Sequence, residues 1–173
     1  KESALIMRKQ TKLVAVLSTA ALLAIGASMT SFAATGWAEE DGTWVYYNRD
    51  GERATDQWKK SGNNWYWLDT NGEMAIDQLI EDGDNYYYVD INGVMAANQW
   101  VAIDNEDAGQ DDEPEHYWYY FQANGKALKN GDNSKVALKT VNGKKYAFDD
   151  EGKMLFGWVA ADNAERIDNT DGD

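Results

Sequence analysis

Aromatic and polar positions alternate in a short pattern that recurs along the chain and predicts β-strands. Side chains of a strand point alternately to its two faces, so Trp44 and Tyr46 are expected on one face and Val45 and Tyr47 on the other. A few residues after each aromatic run comes an Asn-Gly or Asp-Gly pair, such as Asn71-Gly72. Such pairs readily adopt the positive φ angles of a tight hairpin turn. Each copy of the pattern therefore predicts one β-hairpin followed by a loop.

The pattern repeats at a constant spacing. Residues 43–58, 64–79 and 85–100 align at an interval of 21 residues, a fourth copy at 117–128 follows 11 extra residues, and a fifth occupies 144–158. The aligned columns are Trp44, Trp65 and Tyr86; Gly51, Gly72 and Gly93; and Trp37, Trp58, Leu79 and Trp100. A single hairpin is marginally stable in water, so neighbouring copies must stack. The repeat predicts an all-β fold: a solenoid of five stacked β-hairpins, each of about 20 residues, within residues 34–158.

Residues 1–33 have the features of a secretory signal peptide. A basic start at 8–12 precedes an apolar run at 13–25, and small residues lead to a cleavage site after Ala33. A transmembrane helix needs about 20 apolar residues, so an uncleaved membrane anchor is the weaker alternative. Residues 1–6 are interpreted as a misplaced start or an expression remnant. We therefore expect a secreted mature chain without a membrane span.

Composition and charge narrow the range of functions. The chain has 8 Trp and 10 Tyr but no Cys, so aromatic side chains carry the apolar load and disulfides do not stabilise the exported protein. Without residues 1–33, 12 basic and 29 acidic residues remain, which gives a net charge of −17. Such a charge repels phosphate backbones and favours cationic ligands. Nucleic acid is therefore not an expected partner.

The repeated pattern resembles the cell wall-binding repeat family, also called choline-binding repeats. The sequence aromatic-x-aromatic-x-(Asp/Asn)-x-(Asn/Asp)-Gly-x-Met-Ala carries the resemblance, most clearly in residues 65–75 and 86–96. The pattern is also similar to the glucan-binding repeats of glucosyltransferases and to clostridial toxin repeats. The resemblance implies a non-catalytic module, without a cofactor, that attaches a secreted protein non-covalently to a Gram-positive surface. The implied partner is a choline-bearing teichoic acid or a glucan.

The same resemblance implies where the ligand would bind. In choline-binding members, three aromatic side chains surround one quaternary ammonium, because ring faces attract cations. The positions that match two complete cages are Trp37 and Trp44 closed by Trp67, and Trp58 and Trp65 closed by Tyr88. The positions of weak or degenerate sites are Leu79, Tyr86, Tyr120, Trp100 and Trp118. Leu79 has no ring face. The extra residues are expected to move Trp100 and Trp118 apart, and the residue at the closing position of that site would be Ala147. Flat rings also stack on sugars, so choline and glucan both remain open.

Other interpretations of the aromatic residues compete with ligand binding. Stacked hairpins need an apolar core in any case. Alternation suggests an inner face made of Val45, Tyr47, Leu68 and Val89, and a groove lined by Trp44, Trp65 and Tyr88. The chain could instead be a structural spacer, or an adhesin or glucan-binding segment of a larger, truncated protein. A glycosidase needs one pair of carboxylates at a set separation, whereas repeats offer no unique centre. We therefore do not expect catalysis.

Two segments depart from the repeat. The insertion at 103–116 is acidic and holds the only Pro and the only His, His116, and it is interpreted as a solvated loop. A calcium site is an alternative whose spacing matches no known calcium loop; its candidate ligands are Asp104, Glu106, Asp107, Asp111 and Asp112. Residues 159–173 carry no further hairpin pattern and are interpreted as an incomplete repeat or a truncated tail.

Overall fold

The structure is a computed structural model and describes residues 35–110, 113–131, 135–160 and 162. The expected signal peptide, the upstream remnant and most of the expected tail lie outside the described residues. Within the described ranges, no helix is long and apolar enough to cross a membrane.

Ten short strands and no helix make up the regular structure of the described residues. The strands are β1 (Gly36–Glu40), β2 (Thr43–Tyr47), β3 (Gln57–Ser61), β4 (Asn64–Leu68), β5 (Gln78–Asp82), β6 (Asn85–Val89), β7 (Gln99–Asp104), β8 (His116–Phe121), β9 (Lys139–Val141) and β10 (Lys144–Tyr146). Consecutive strands pair antiparallel into five two-stranded sheets. We call these hairpins units 1 to 5, in chain order. The predicted all-β class and its hairpins are confirmed.

The tight turn of each hairpin is not the one that the sequence pattern suggested. Strands β3 and β4 are joined by Gly62 and Asn63, with Ser61 opposite Asn64, and Gly62 has a φ of 59°. Asn71-Gly72 instead follows the second strand. There, Asp69 Oδ1 accepts hydrogen bonds from the backbone N–H of Asn71 at 2.8 Å and of Glu73 at 2.9 Å. This side-chain-stabilised turn sends the chain into a third segment.

The third segment of each unit returns along the second strand and also contacts the preceding unit. Met74 forms a bridge with Leu68 of its own hairpin, and its N–H donates to the carbonyl oxygen of Trp44 in unit 1 at 2.8 Å. The equivalent bonds run from Met95 to Trp65, from Ala127 to Tyr86 and from Met154 to Trp118, at 2.7–2.9 Å. Backbone hydrogen bonds therefore connect each unit to the next.

Methionine side chains fill the space over the glycine of the following turn. A Cβ atom placed on Gly125 would lie 2.5 Å from Met95 Sδ, and one placed on Gly93 would lie 2.9 Å from Met74 Cε. Both glycines also have positive φ angles, 81° and 76°. Only glycine satisfies the turn and the close approach together, so this contact fixes how successive units stack.

Both faces of the unit 2 hairpin carry buried side chains, because unit 2 lies between units 1 and 3. In β4, Tyr66 is 3% exposed and Trp67, on the opposite face, is 8% exposed. Val45, Leu68 and Val89, predicted for the inner face, are 0–1% exposed, whereas Tyr47, predicted with them, is only partly buried. Trp65, predicted for the groove, is 40% exposed, but Trp67 on the same face is buried, so this face of unit 2 is only partly open.

The acidic insertion leaves its hairpin intact. Strands β7 and β8 pair from Gln99 with Phe121 to Asp104 with His116, so the loop spans 105–115 and does not separate the strands. Asn105 is buried and organises the loop: its amide donates to Glu113 Oε2 at 3.0 Å and to the Pro114 carbonyl oxygen at 2.9 Å. Asn105 therefore connects the two ends of the loop, while most of the described loop residues are exposed, as expected for a solvated loop.

Candidate functional site

Rings from two successive units meet at the first unit boundary. Trp37 of unit 1 lies edge-on to Tyr46 of its own hairpin and to Tyr66 of unit 2, with centroids 5.4 Å apart in both pairs. Trp37 and Tyr46 are cross-strand partners, so their side chains share a face. We call Trp37, Tyr46 and Tyr66 the first cluster.

The second unit boundary repeats this arrangement. Trp58 lies 5.2 Å from Trp67, its cross-strand partner, and 5.1 Å from Tyr87 of unit 3. The Trp58 indole N–H donates to Asp82 Oδ2 at 3.2 Å. Burial, followed by the negative charge of Asp82, raises the pKa of Tyr87. The second cluster, Trp58, Trp67 and Tyr87, therefore combines three rings with a carboxylate at its edge.

The third boundary keeps the packing but loses the tryptophan. Leu79 takes the position of Trp58 and packs into an apolar group with Tyr88, Tyr119 and Phe121. Tyr88 and Phe121 stack at 6.1 Å, and the Tyr88 hydroxyl donates to Asp77 Oδ1 at 2.5 Å. These four residues form the third cluster. Leu79 has no ring face and packs with the fully buried Phe121, so the third cluster is core and lacks the indole of a cage.

The fourth boundary contains the largest ring group of the four. Trp100 lies 5.2 Å from Tyr120, 4.8 Å from Tyr146 and 5.9 Å from Phe148. Sequence spacing had placed Ala147 here and suggested that the insertion disrupts the site. The hairpin register brings Trp100 opposite Tyr120 despite the insertion, and unit 5 contributes two rings. Trp100, Tyr120, Tyr146 and Phe148 form the fourth cluster.

The predicted closing residues lie in different clusters from those expected. Trp67 contacts Trp58 of its own hairpin rather than closing a site around Trp37, and Tyr88 contacts Phe121 rather than Trp58. The reason is strand register: a two-residue turn places Trp67 directly opposite Trp58. The middle aromatic of the next unit closes each cluster instead. The sequence pattern does not identify five ring residues of the clusters: Tyr46, Tyr66, Tyr87, Tyr146 and Phe148. Three of them, Tyr66, Tyr87 and Tyr146, come directly before the predicted closing residue, and this fixed position was a usable signal.

The first aromatic of each copy occupies a more exposed position. Within the described ranges, neither Trp44 nor Trp65 contacts another aromatic ring. Trp65 and Trp118 are 40% and 45% exposed, and Lys60 Nζ lies 5.9 Å from the Trp65 ring. Tyr86 likewise has Lys129 Nζ at 5.8 Å. Trp65 and Trp118 lie outside the clusters, where they are accessible to a polymer, whereas the partly buried Tyr86 packs against the apolar group of the third cluster.

Lysine provides the first cluster with a cation of its own. Lys59 Nζ lies 4.7 Å from the centre of the Tyr46 ring and donates to Asn48 Oδ1 at 2.8 Å. This contact shows that a ring at a unit boundary attracts an ammonium group. The clusters are thus suited chemically to quaternary ammonium groups, and flat indole rings also suit the apolar faces of sugars.

The insertion gives no metal centre among the described residues. No group of three or more His, Asp or Glu side chains there could hold a metal ion, and Asp111 and Asp112 lie outside the described ranges. Asp107 Oδ1 accepts from Gln110 at 2.8 Å, and Asp104 pairs with His116 at 3.1 Å. A cleft of ≈ 230 Å³ lies between Tyr117 and the third segment of unit 5, next to Phe156.

Family models match most of the repeat region. A model described as choline-binding repeat matches residues 34–78 and 54–100, and one described as cell wall binding repeat matches residues 117–127. No curated protein sequence matches the chain.

Several solved structures are similar to this chain. The choline binding domain of Spr1274 from Streptococcus pneumoniae is 32% identical, with a TM-score of 0.41, and the match covers 55% of this chain and 95% of that one. CbpJ from Streptococcus pneumoniae is 27% identical, with a TM-score of 0.51, over 74% of this chain and 38% of CbpJ. Truncated alternansucrase from Leuconostoc mesenteroides is 23% identical, with a TM-score of 0.49, over 70% of this chain and 10% of that one. The chain spans well under half of CbpJ.

Proposed function

Because the chain belongs to the choline-binding repeat family, we propose that it is a cell wall-binding module that docks on choline-bearing polymers. The ligand groups bind at aromatic clusters between successive hairpins. The hairpins form a solenoid, and the module reaches the cell surface by secretion after its signal peptide is removed. It attaches there non-covalently and contributes binding rather than catalysis.

The strongest support for this proposal is the second cluster, where three aromatic rings and a carboxylate lie together. The Trp58 ring centroid lies within 5.2 Å of the ring centroids of Trp67 and Tyr87. The Asp82 carboxylate lies beside these rings and accepts a hydrogen bond from the Trp58 indole N–H. Ring faces attract a fixed cation by about 0.5–2 kcal/mol each, and a nearby carboxylate adds to that attraction. Trp65, exposed on the same hairpin, extends the surface toward a polymer.

Weak single sites suit a polymeric ligand. A few cation–ring contacts, reduced by the entropy cost of association, correspond to about millimolar affinity for one choline group. Several clusters on one chain can bind neighbouring choline groups of one polymer, so the combined affinity rises steeply. The second and fourth clusters keep the tryptophan and, among the described residues, have no lysine or arginine over a ring, so they are the candidate sites. The third cluster, with Leu79 in place of the tryptophan, is not.

Retention on immobilised choline tests the proposal. We expect the mature protein to be retained and to elute with free choline, and Trp58→Leu to reduce choline affinity at the second cluster by about tenfold or more. Leucine already occupies this position in unit 3 as Leu79, so the variant should fold. Leu79→Met is the matched control and should bind like the wild type.

The alternatives give different outcomes in the same experiment. Retention on a glucan support but not on choline would assign the clusters to sugars. A folded protein that ignores both supports would instead be a structural spacer, and the proposal would be wrong. Equal retention of wild type and Trp58→Leu would move the binding site away from the second cluster.

A further inference from the structure

The first and second clusters share three rings but differ in the charge beside them. In the first cluster, Lys59 Nζ covers the Tyr46 ring at 4.7 Å. In the second, Asp82 accepts a hydrogen bond from Trp58 at 3.2 Å. Among the described residues, no lysine or arginine lies over a ring of the second cluster. One site therefore already holds a cation, and the other presents an anion.

The hairpin register explains how Lys59 reaches the first cluster. Lys59 is the cross-strand partner of Tyr66, whereas Ile80 is the partner of Tyr87 in the next hairpin. Ile80 is 3% exposed and belongs to the core at the second boundary. Lys59 occupies the same position one boundary earlier, so its side chain extends across the unit interface toward Tyr46. The hydrogen bond to Asn48 Oδ1, at 2.8 Å, holds the ammonium there.

A second difference lies at the end of the first strand. Ser61 has the hairpin position that Asp82 has in unit 3, since each pairs with the first residue of the following strand. The Trp58 N–H is bonded to Asp82, while the Trp37 Nε1 atom is buried and has no partner among the described residues. The first cluster thus lacks the carboxylate that would favour a ligand cation.

We infer that Lys59 is a built-in occupant of the first cluster, and that it prevents this cluster from binding a quaternary ammonium group while the second cluster binds one. The inference rests on the proposed function, because it assigns ligands to the same set of sites. A ring face that is covered by an ammonium group is not available to a second cation, and the two positive charges repel each other. Removing the lysine charge should convert the first cluster into a choline site.

Indole N–H resonances can report on the two clusters separately. In wild-type protein labelled with nitrogen-15, choline titration is expected to shift the Trp58 indole signal and leave the Trp37 signal unchanged. In Lys59→Met, both signals are expected to shift, with affinity at Trp37 increased by about tenfold or more. Trp37→Phe and Trp58→Phe assign the two signals.

Matched variants separate the effect of charge from that of shape. Lys59→Arg keeps the positive charge and should leave Trp37 unresponsive, while Lys144→Met removes an exposed charge in unit 5 and should behave like the wild type. Asp82→Asn should weaken choline binding at Trp58 by about threefold. It should not change binding of the neutral analogue in which carbon replaces the quaternary nitrogen.

The possible failures are distinguishable. If the wild-type Trp37 signal responds at the same choline concentration as the Trp58 signal, Lys59 does not block the site and the inference is wrong. If Trp58 responds but Lys59→Met leaves Trp37 silent, the inference is also wrong while the cell wall-binding function stands. If no indole signal responds to choline in either protein, both proposals fail together.

Discussion

The second and third clusters occupy the same place in successive units, yet only the second has the features of a binding site. The second places Trp58 against Trp67 and Tyr87, with Asp82 at its edge. The third has Leu79 at the same position, packed with Tyr88, Tyr119 and Phe121. Both are built on the same hairpin and the same inter-unit backbone hydrogen bond.

The difference shows that stacking does not require tryptophan. An aliphatic side chain at position 79 satisfies the core when a phenylalanine from the next unit fills the remaining space. At the second boundary, Val89 stands where Phe121 stands at the third, and both are fully buried. At the fourth boundary the equivalent residue is the fully buried Phe148, and it packs beside the indole of Trp100. The boundaries therefore accept either leucine or tryptophan in this column, and packing alone does not require the indole.

The largest loss of unfolding free energy is expected when the buried phenylalanine ring of the third cluster is removed. Phe121→Ala removes a fully buried ring that contacts Tyr88 and Tyr119 and is expected to cost about 3–5 kcal/mol of unfolding free energy. Val89→Ala at the second boundary removes two methyl groups and should cost about 2 kcal/mol. Urea denaturation measures both. Equal losses would contradict the view that the third cluster depends more on packing.

A second prediction concerns the close contact between the Met95 side chain of unit 3 and Gly125 of unit 4. Gly125→Ala places a Cβ atom 2.5 Å from Met95 Sδ at a φ of 81°, and we expect a loss of about 2–3 kcal/mol from strain and overpacking. Gly83→Ala is the control, because its φ of 59° is also positive but its Cβ would meet nothing within 4 Å. It should cost about 1 kcal/mol. Equal costs would show that Met95 moves aside freely.

Much of this architecture follows from the sequence, because the repeat interval and the aromatic alternation specify hairpins. The strand register does not follow, because the pattern predicts the hairpin turn at Asn71-Gly72, whereas Gly62 and Asn63 form it. Had that turn been recognised, a two-residue connection would have placed Trp67 opposite Trp58. Tertiary packing decides which neighbouring unit each face of a hairpin contacts, and the alternation of residues along a strand does not predict it.

The charges beside the clusters were also beyond the sequence pattern. Lys59 lies in a polar stretch that suggests a solvated strand, and its contact with Tyr46 becomes visible only when units 1 and 2 are packed together. Asp82 belongs to a strongly acidic chain, in which no single carboxylate stands out. The aromatic positions that recur in each copy can be identified from the sequence repeat. The charged side chains beside each cluster can be identified only when the packing of neighbouring units is known.

A third prediction gives the third cluster the tryptophan that the second cluster has. Leu79→Trp introduces an indole opposite Tyr88 and should strengthen choline binding at the third boundary by about tenfold, at some cost from overpacking. Because Leu79 is only partly buried, the hairpin should accept the larger side chain. Leu79→Met supplies volume without a ring and should gain nothing. A calorimetric titration counts the sites in each variant.

The smallest effect concerns the alkaline stability of the third cluster. Burial raises the pKa of Tyr119 to about 12, whereas an unfolded tyrosine ionises near pH 10. A group whose folded pKa is raised contributes stability that is complete below the unfolded pKa and is lost as the pH rises through the folded pKa. The unfolding free energy should therefore fall between about pH 10 and 12, by up to about 1.4 kcal/mol per pH unit for this residue.

Tyr119→Phe keeps the ring but removes the ionisable hydroxyl, so the variant should lose stability less steeply with pH in that window while unfolding normally at neutral pH. The residual slope should come from other tyrosines, such as Tyr87 and Tyr88, whose pKa values burial also raises. Urea midpoints measured from pH 8 to 11 separate these contributions. An unchanged slope in Tyr119→Phe would mean that this hydroxyl reaches solvent, and that the third cluster is more open than the second rather than more closed.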